Sequence, residues 1–214
     1  MAFIQWLGHA SFMINTKEKI IYIDPSEGEY HQKANLILIT HSHQDHCNTL
    51  KIDKILRDDT IIFAPINCGS KTWKNTRNLK PGEKAIVGEI IVEAMEAYNY
   101  KRFRSPGVFY HPRGFGVGYI LTVEGKTIYH AGDTDFIPEM RQLQVRNIDL
   151  ALLPSGGTFT MDNPEALEAI LAIHPKTVIL MHNWDTNPKE VKKALETKSP
   201  IKIVILQPGE QVTL

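Results

Sequence analysis

Leu36-Ile37-Leu38-Ile39-Thr40-His41-Ser42-His43-Gln44-Asp45-His46 is an apolar run of strand length that leads directly into three histidines and an aspartate. Four apolar residues without alternation suit a strand buried on both faces. Residues two apart in extended backbone point the same way and lie roughly 6–7 Å apart, so His41 and His43 can converge on one ion. Asp45 and His46, one turn further on, can face a second. Imidazole and carboxylate donors suit zinc first, with manganese, iron, cobalt or nickel as other occupants. The absence of a thiolate set points to an open, reactive centre over a closed structural one.

Two more segments have the same form. Tyr129-His130-Ala131-Gly132-Asp133 ends an apolar run with a glycine and a carboxylate, and Val178-Ile179-Leu180-Met181-His182 ends another with a histidine. Ligands at the ends of separate strands, in loops along a sheet edge, are presented by a rigid scaffold.

The rest of the chain alternates short strands with few helices. Strands are expected at Phe3–Trp6, Ser11–Asn15, Ile20–Asp24, Leu36–Thr40, Thr60–Ala64, Lys84–Val87, Glu89–Ala97, Gly116–Val123, Lys126–His130, Ile148–Leu153, Thr177–Met181 and Ile201–Leu206. Helical patterns cover Leu50–Leu56, Pro138–Leu143, Asp162–Ile173 and Pro188–Thr197, with a short amphipathic stretch at Ser70–Trp73. Asp162 with Glu165 three residues on, and Pro164 in the first turn, marks a helix start. No low-complexity linker divides the chain, so residues 1–214 are expected to form one domain of two sheets with helices outside.

Lysine plus arginine equals aspartate plus glutamate at 24 each, leaving no net field to draw nucleic acid or an anionic membrane. No apolar stretch approaches spanning length and the N-terminus has no signal-type pattern, so a cytoplasmic location is expected. Two cysteines, Cys47 and Cys68, are too few for a disulfide framework. Cys47, beside His46, reads as a small half-buried residue, with a thiol ligand as the sharper alternative.

The HxHxDH pattern, the later Gly132-Asp133 and the final His182 resemble the metallo-β-lactamase superfamily over nearly the whole length. Trp6-Leu7-Gly8-His9-Ala10-Ser11, the Ile23-Asp24-Pro25 turn and Leu153-Pro154-Ser155-Gly156-Gly157-Thr158-Phe159-Thr160-Met161 resemble its branch of predicted metal-dependent hydrolases. That branch includes ascorbate-6-phosphate lactonase-like proteins and the N-acylphosphatidylethanolamine-hydrolysing phospholipase D. The resemblance implies an α/β fold, a four-layer αββα sandwich, with two divalent transition-metal ions at the edge of the sheets. It makes His41 and His43 ligands of the first ion, Asp45, His46 and His182 ligands of the second, and Asp133 a bridge. Asp24 would hydrogen-bond a ligating imidazole, as metal-bound histidines require.

One position departs from the family pattern. The strand that usually ends in a histidine completing the first ion's set here reaches Asn99, and an amide oxygen is a weak ligand for such an ion. His111, on the connecting loop, is expected to replace it, with a pocket-lining role as the alternative. Hydrolysis follows from two ions roughly 3.5–4 Å apart activating a water, with Asp45 and Asp133 closest to the chemistry. His9, Tyr98 and His111 are candidate proton donors, and His9 reads equally as a structural histidine.

The substrate expected is a small ester, lactone or phosphodiester, with no nucleic-acid or membrane partner and a homo-oligomer possible. A ribonuclease or other nuclease is the enzyme rival, and a non-enzymatic metal-binding protein the other. His31, His130 and His174 read as structural or surface residues. Lys101, Arg102 and Arg104 read as a solvated basic loop, with phosphate binding as the alternative. Gly156-Gly157 reads as a tight turn or as backbone donors for an oxyanion.

Overall fold

The computed structural model describes residues 2–69 and 73–214, so most of the Ser70–Trp73 stretch lies outside the described residues. The chain forms two compact units, Met1–Lys80 with Leu206–Leu214, and Pro81–Ile205. Each is built on one seven-stranded sheet, which makes the chain a mixed α/β protein with two large sheets.

The first unit holds β1 (Phe3–Gly8), β2 (Ser11–Asn15), β3 (Ile20–Ile23), β4 (Leu36–Leu38), β5 (Ile61–Phe63) and β6 (Thr76–Arg77). The C-terminal strand Gln211–Thr213, β16 in chain order, closes it beyond β1. β1, β2 and β3 pair antiparallel in sequence, and β3 to β6 pair parallel. β1, β3, β4 and β5 therefore run the same way and release the chain at one sheet edge. β4 is buried throughout, as its unbroken apolar run requires. Helix α1 (Thr49–Ile55), capped by the Asn48 side chain, buries Ile52 and Ile55 against Ile37, Ile39 and Ile62.

Cys47 and Cys68 are joined by a disulfide across 21 residues, and both are buried. The thiol-ligand reading of Cys47 therefore falls away, and the pair is structural after all. Closing a loop of this length restricts the unfolded chain by about 3 kcal/mol. Cys68→Ser is expected to lower stability by about that amount in a urea titration under non-reducing conditions. An unchanged midpoint would show that the crosslink contributes nothing.

The second unit contains β7 (Lys84–Val87), β8 (Ile90–Ala97), the small hairpin β9 (Phe103–Ser105) and β10 (Val108–Phe109), then β11 (Gly116–Val123) and β12 (Lys126–His130). β13 (Leu150–Pro154), β14 (Thr177–Met181) and β15 (Lys202–Val204) complete it. The large sheet has the order β15-β14-β13-β12-β11-β8-β7. β12 to β15 pair parallel, and β11 lies antiparallel between β8 and β12. The C-terminal ends of β8, β12, β13 and β14 thus share one edge. Helix α2 (Asn163–Ile173) starts at the expected Asp162–Glu165 capping box and ends at His174, in a left-handed conformation. Its face of Ala166, Ala169, Ile170 and Ile173 joins a core with Ile120, Tyr129, Leu153 and Val178. Helix α3 (Pro188–Glu196) adds Val191 and Leu195 to the same core.

The expected helix at Pro138–Leu143 is a 3₁₀ helix, Pro138–Arg146. Its two buried residues, Met140 and Leu143, stand three apart, which matches three residues per turn better than 3.6. Strands β6, β9, β10 and β16 have no counterpart in the sequence reading. They are two or three residues long and have no buried position, so no burial pattern marks them.

Candidate metal centre

In the first unit, β4 ends at Leu38 and the histidine motif coils into a turn instead of staying extended. The main-chain N–H groups of His46 and Cys47 both donate to the His43 carbonyl, at 3.0 and 2.7 Å. The turn brings His41 Nε2 to 3.1 Å from His43 Nδ1. Two donors on one tetrahedral ion, with bonds of about 2.0–2.1 Å, stand about 3.3 Å apart, so the pair is spaced for a shared ion. His46 has its ligand atom within 4.8 Å of those of His41, His9 and Asp45.

Asp24 organises this turn from below. Wholly buried, its carboxylate accepts from the Thr40 main-chain N–H at 2.7 Å, from the Thr40 hydroxyl at 2.6 Å, and pairs with His46 Nδ1 at 2.8 Å. A carboxylate on Nδ1 keeps the proton there and leaves the ring lone pair on Nε2, the nitrogen that could bind an ion. His9, which follows β1 directly, places Nε2 3.2 Å from Asp45 Oδ2. The Asp45 side chain is 39% exposed, the His9 side chain wholly buried.

In the second unit, Asp133 follows β12 and His182 follows β14 directly, while Asn99 follows β8. The Asp133 carboxylate oxygen Oδ2 stands 3.0 Å from His182 Nε2 and 3.3 Å from His111 Nε2. Those separations again match neighbours in one coordination shell. His111 Nδ1 and the His111 main-chain N–H both meet Asn99 Oδ1, each at 2.9 Å. The two Asn99 hydrogens go to Asp135 Oδ1 at 3.0 Å and to the Phe159 carbonyl at 3.1 Å. Asn99 therefore has both its oxygen and its amide nitrogen engaged inside the protein, and it supports His111.

His9, Asp24 and His182 all have positive φ, at 50, 46 and 47°. For residues with a side chain this conformation costs of order 1–2 kcal/mol, and it concentrates at functional sites. Each is the first residue past a strand end, where the chain must leave the sheet while its side chain stays at the edge. Spacing and periodicity give no warning of this. Gly156 adds a close approach: a Cβ there would lie 2.3 Å from the His182 carbonyl oxygen. Gly157 donates its N–H to the Met161 carbonyl, so this segment is a tight turn and the Gly157 N–H is not available to an oxyanion.

Within the basic cluster, Arg102 departs from the solvated loop expected. Lys101 and Arg104 are exposed, as a solvated loop requires, but Arg102 is largely withdrawn from solvent: Lys101 and Arg102 both pair with Glu165, and Arg102 also pairs with Asp135 at 2.6 Å. Burial pushes the Glu165 carboxyl up, but the Arg102 and Lys101 hydrogen bonds outweigh it and hold it below the usual carboxylate range. Burial lowers the Arg102 guanidinium, and the hydrogen bonds to Glu165 and Asp135 more than restore it. Tyr98 donates to Glu139 at 3.2 Å. His130 is buried, with Nδ1 accepting from the Gly132 N–H, and His31 and His174 are exposed. Asp135, wholly buried, escaped the sequence reading, although its place two residues after Asp133 was the available signal.

Sheet, strand-end histidines and buried aspartates together define a metallohydrolase of mixed α/β architecture. A family model described as a beta-lactamase superfamily domain matches residues 3–182. A UPF0173 metal-dependent hydrolase from Pyrococcus abyssi is 34% identical, with all of both chains covered. The crystal structure of a candidate metal-dependent hydrolase from Parabacteroides distasonis is similar at 36% identity and a TM-score of 0.88, covering 98% of this chain and 94% of that one. A metallo hydrolase from the hyperthermophilic archaeon Ignicoccus hospitalis is similar at 26% identity and a TM-score of 0.81, covering 99% and 97%. The chain belongs to the metallo-β-lactamase superfamily, and within it to the UPF0173 metal-dependent hydrolases. Among the described residues, no helix is long and apolar enough to cross a membrane.

Proposed function

We propose that His41, His43, Asp45, His46, His111, Asp133 and His182 hold two divalent transition-metal ions, zinc first, that hydrolyse a small ester, lactone or phosphodiester. The observation that carries this reading is the Asp133 carboxylate, buried and flanked by two imidazole Nε2 atoms at coordination-shell spacing. Bound ions supply Lewis acidity toward the scissile bond and the attacking water. The chain's own groups then divide the remaining work. Asp45, partly open to solvent, is placed to take a proton from that water, and His9, 3.2 Å away, can exchange it and pass it to the leaving group. Of the other candidate donors, Tyr98 is committed to Glu139, and His111 directs Nε2 at Asp133.

Beside His182 stands an aromatic wall: the Trp184 ring lies 5.2 Å from the His182 ring, and Phe159 lies 6.4 Å from it and 4.8 Å from Tyr110. Trp184 is 61% exposed. Exposed aromatic area at a site favours a substrate that carries an apolar group.

Protein loaded separately with zinc, manganese, iron or nickel should be screened against phosphodiesters, lactones and thioesters bearing alkyl or aryl groups. Hydrolysis that needs metal and rises with apolar substituents is the expected result. Metal-bound protein that cleaves none of the panel would contradict the proposed substrate class.

A further inference from the structure

A hydrogen-bonded chain of side chains runs from half-buried Arg102 through buried Asp135 and Asn99 to buried His111, and of these only His111 is a proposed metal ligand. Arg102 donates Nη1–H to Asp135 Oδ1 at 2.6 Å and Nε–H to the Gly157 carbonyl at 2.8 Å, and its remaining nitrogen pairs with Glu165. Asp135 Oδ2 accepts the main-chain N–H groups of Tyr100 and Lys101, each at 2.8 Å. With two main-chain N–H groups and the Arg102 guanidinium donating to it besides Asn99, this carboxylate is an acceptor only.

That fixes the next link. A side-chain amide is nearly symmetric in shape, so its orientation is decided by what its two ends meet. The Asn99 nitrogen meets Asp135 and the Phe159 carbonyl, neither of which can donate. Its oxygen meets the His111 main-chain N–H, which can only donate. The same oxygen faces His111 Nδ1 at 2.9 Å, so Nδ1 must carry the ring proton. In a neutral imidazole the lone pair then resides on Nε2, the atom 3.3 Å from Asp133.

We propose that Arg102 and Asp135 are positioning residues that orient the Asn99 amide and thereby hold His111 in the tautomer whose Nε2 binds metal. The proposal rests on His111 as a ligand, and it explains how an asparagine can occupy a position where the family pattern has a histidine. Asn99 orients the replacement ligand. Losing an outer partner of a ligating histidine typically weakens metal binding 10–100-fold, so that is the effect expected of breaking this chain.

The test reads the tautomer directly, by long-range ¹H–¹⁵N correlation on protein labelled at histidine, with the His111 signals assigned by their loss in His111→Ala. Wild type, with and without zinc, is expected to show Nδ1–H at His111. Asp135→Asn and Arg102→Met are expected to mix the tautomers and to weaken one of the two zinc sites by about 10–100-fold, leaving the other unchanged. Glu165→Gln keeps an oxygen for Arg102 and does not touch Asn99. It should keep both tautomer and zinc affinity while lowering thermal stability.

An Nε2 proton on His111 in the wild type would overturn the proposal whatever the variants do, including a failure of Asp135→Asn to fold. So would an unchanged tautomer and affinity in folded Arg102→Met or Asp135→Asn. If His111→Ala keeps both zinc ions, the ligand assignment has failed, which is a different outcome from a wrong tautomer.

Discussion

Asp133→Ala is expected to abolish hydrolysis and to strip metal from the protein more completely than loss of any single histidine. The Asp133 carboxylate stands 3.0 Å from His182 Nε2 and 3.3 Å from His111 Nε2. Two dications held close together repel, and a carboxylate between them offsets that repulsion as well as supplying a bond to each. Removing a group that only orients a ligand costs 10–100-fold, so a bridge should cost more than about a hundredfold in metal affinity. Elemental analysis and turnover of the same preparation check it. A variant that retains two ions and near-normal turnover would rule out the bridge.

The second large effect separates His111 from Asn99. His111→Ala removes an Nε2 atom aimed at Asp133, and one ion should be lost while the other stays. Asn99→Ala removes the acceptor for His111 Nδ1 and the donor to Asp135. Both ions should still bind there, one of them about 10–100-fold more weakly. Side-by-side titration with zinc decides between them. A selective loss of one ion from Asn99→Ala, with both retained by His111→Ala, would reverse the assignment.

Much of the fold and the position of the candidate site were legible in the sequence because the strands that lead to it are apolar runs ending abruptly in ligand-type residues. β4 ends before His41, β12 before Asp133 and β14 before His182, and a run that changes so sharply marks both strand and site. The capping box at Asp162 was legible too, since local chemistry alone decides it. The partners of the candidate ligands were harder to read. Thr40 and Asp24 are 16 residues apart and meet only because β3 and β4 pair in parallel. Arg102 and Glu165 are 63 apart, and a run of basic residues looks solvated until the acidic partner is brought to it. The Cys47–Cys68 bond was missed because counting cysteines says nothing about which ones lie at bridging distance.

Counting metal tests the proposed two-ion hydrolytic centre most directly. Elemental analysis of gently purified protein, before and after incubation with zinc or manganese, should give close to two transition-metal ions per chain, with hydrolysis appearing as the second ion binds. A protein that stays metal-free, with stability unmoved by added zinc or manganese, would contradict a two-ion centre.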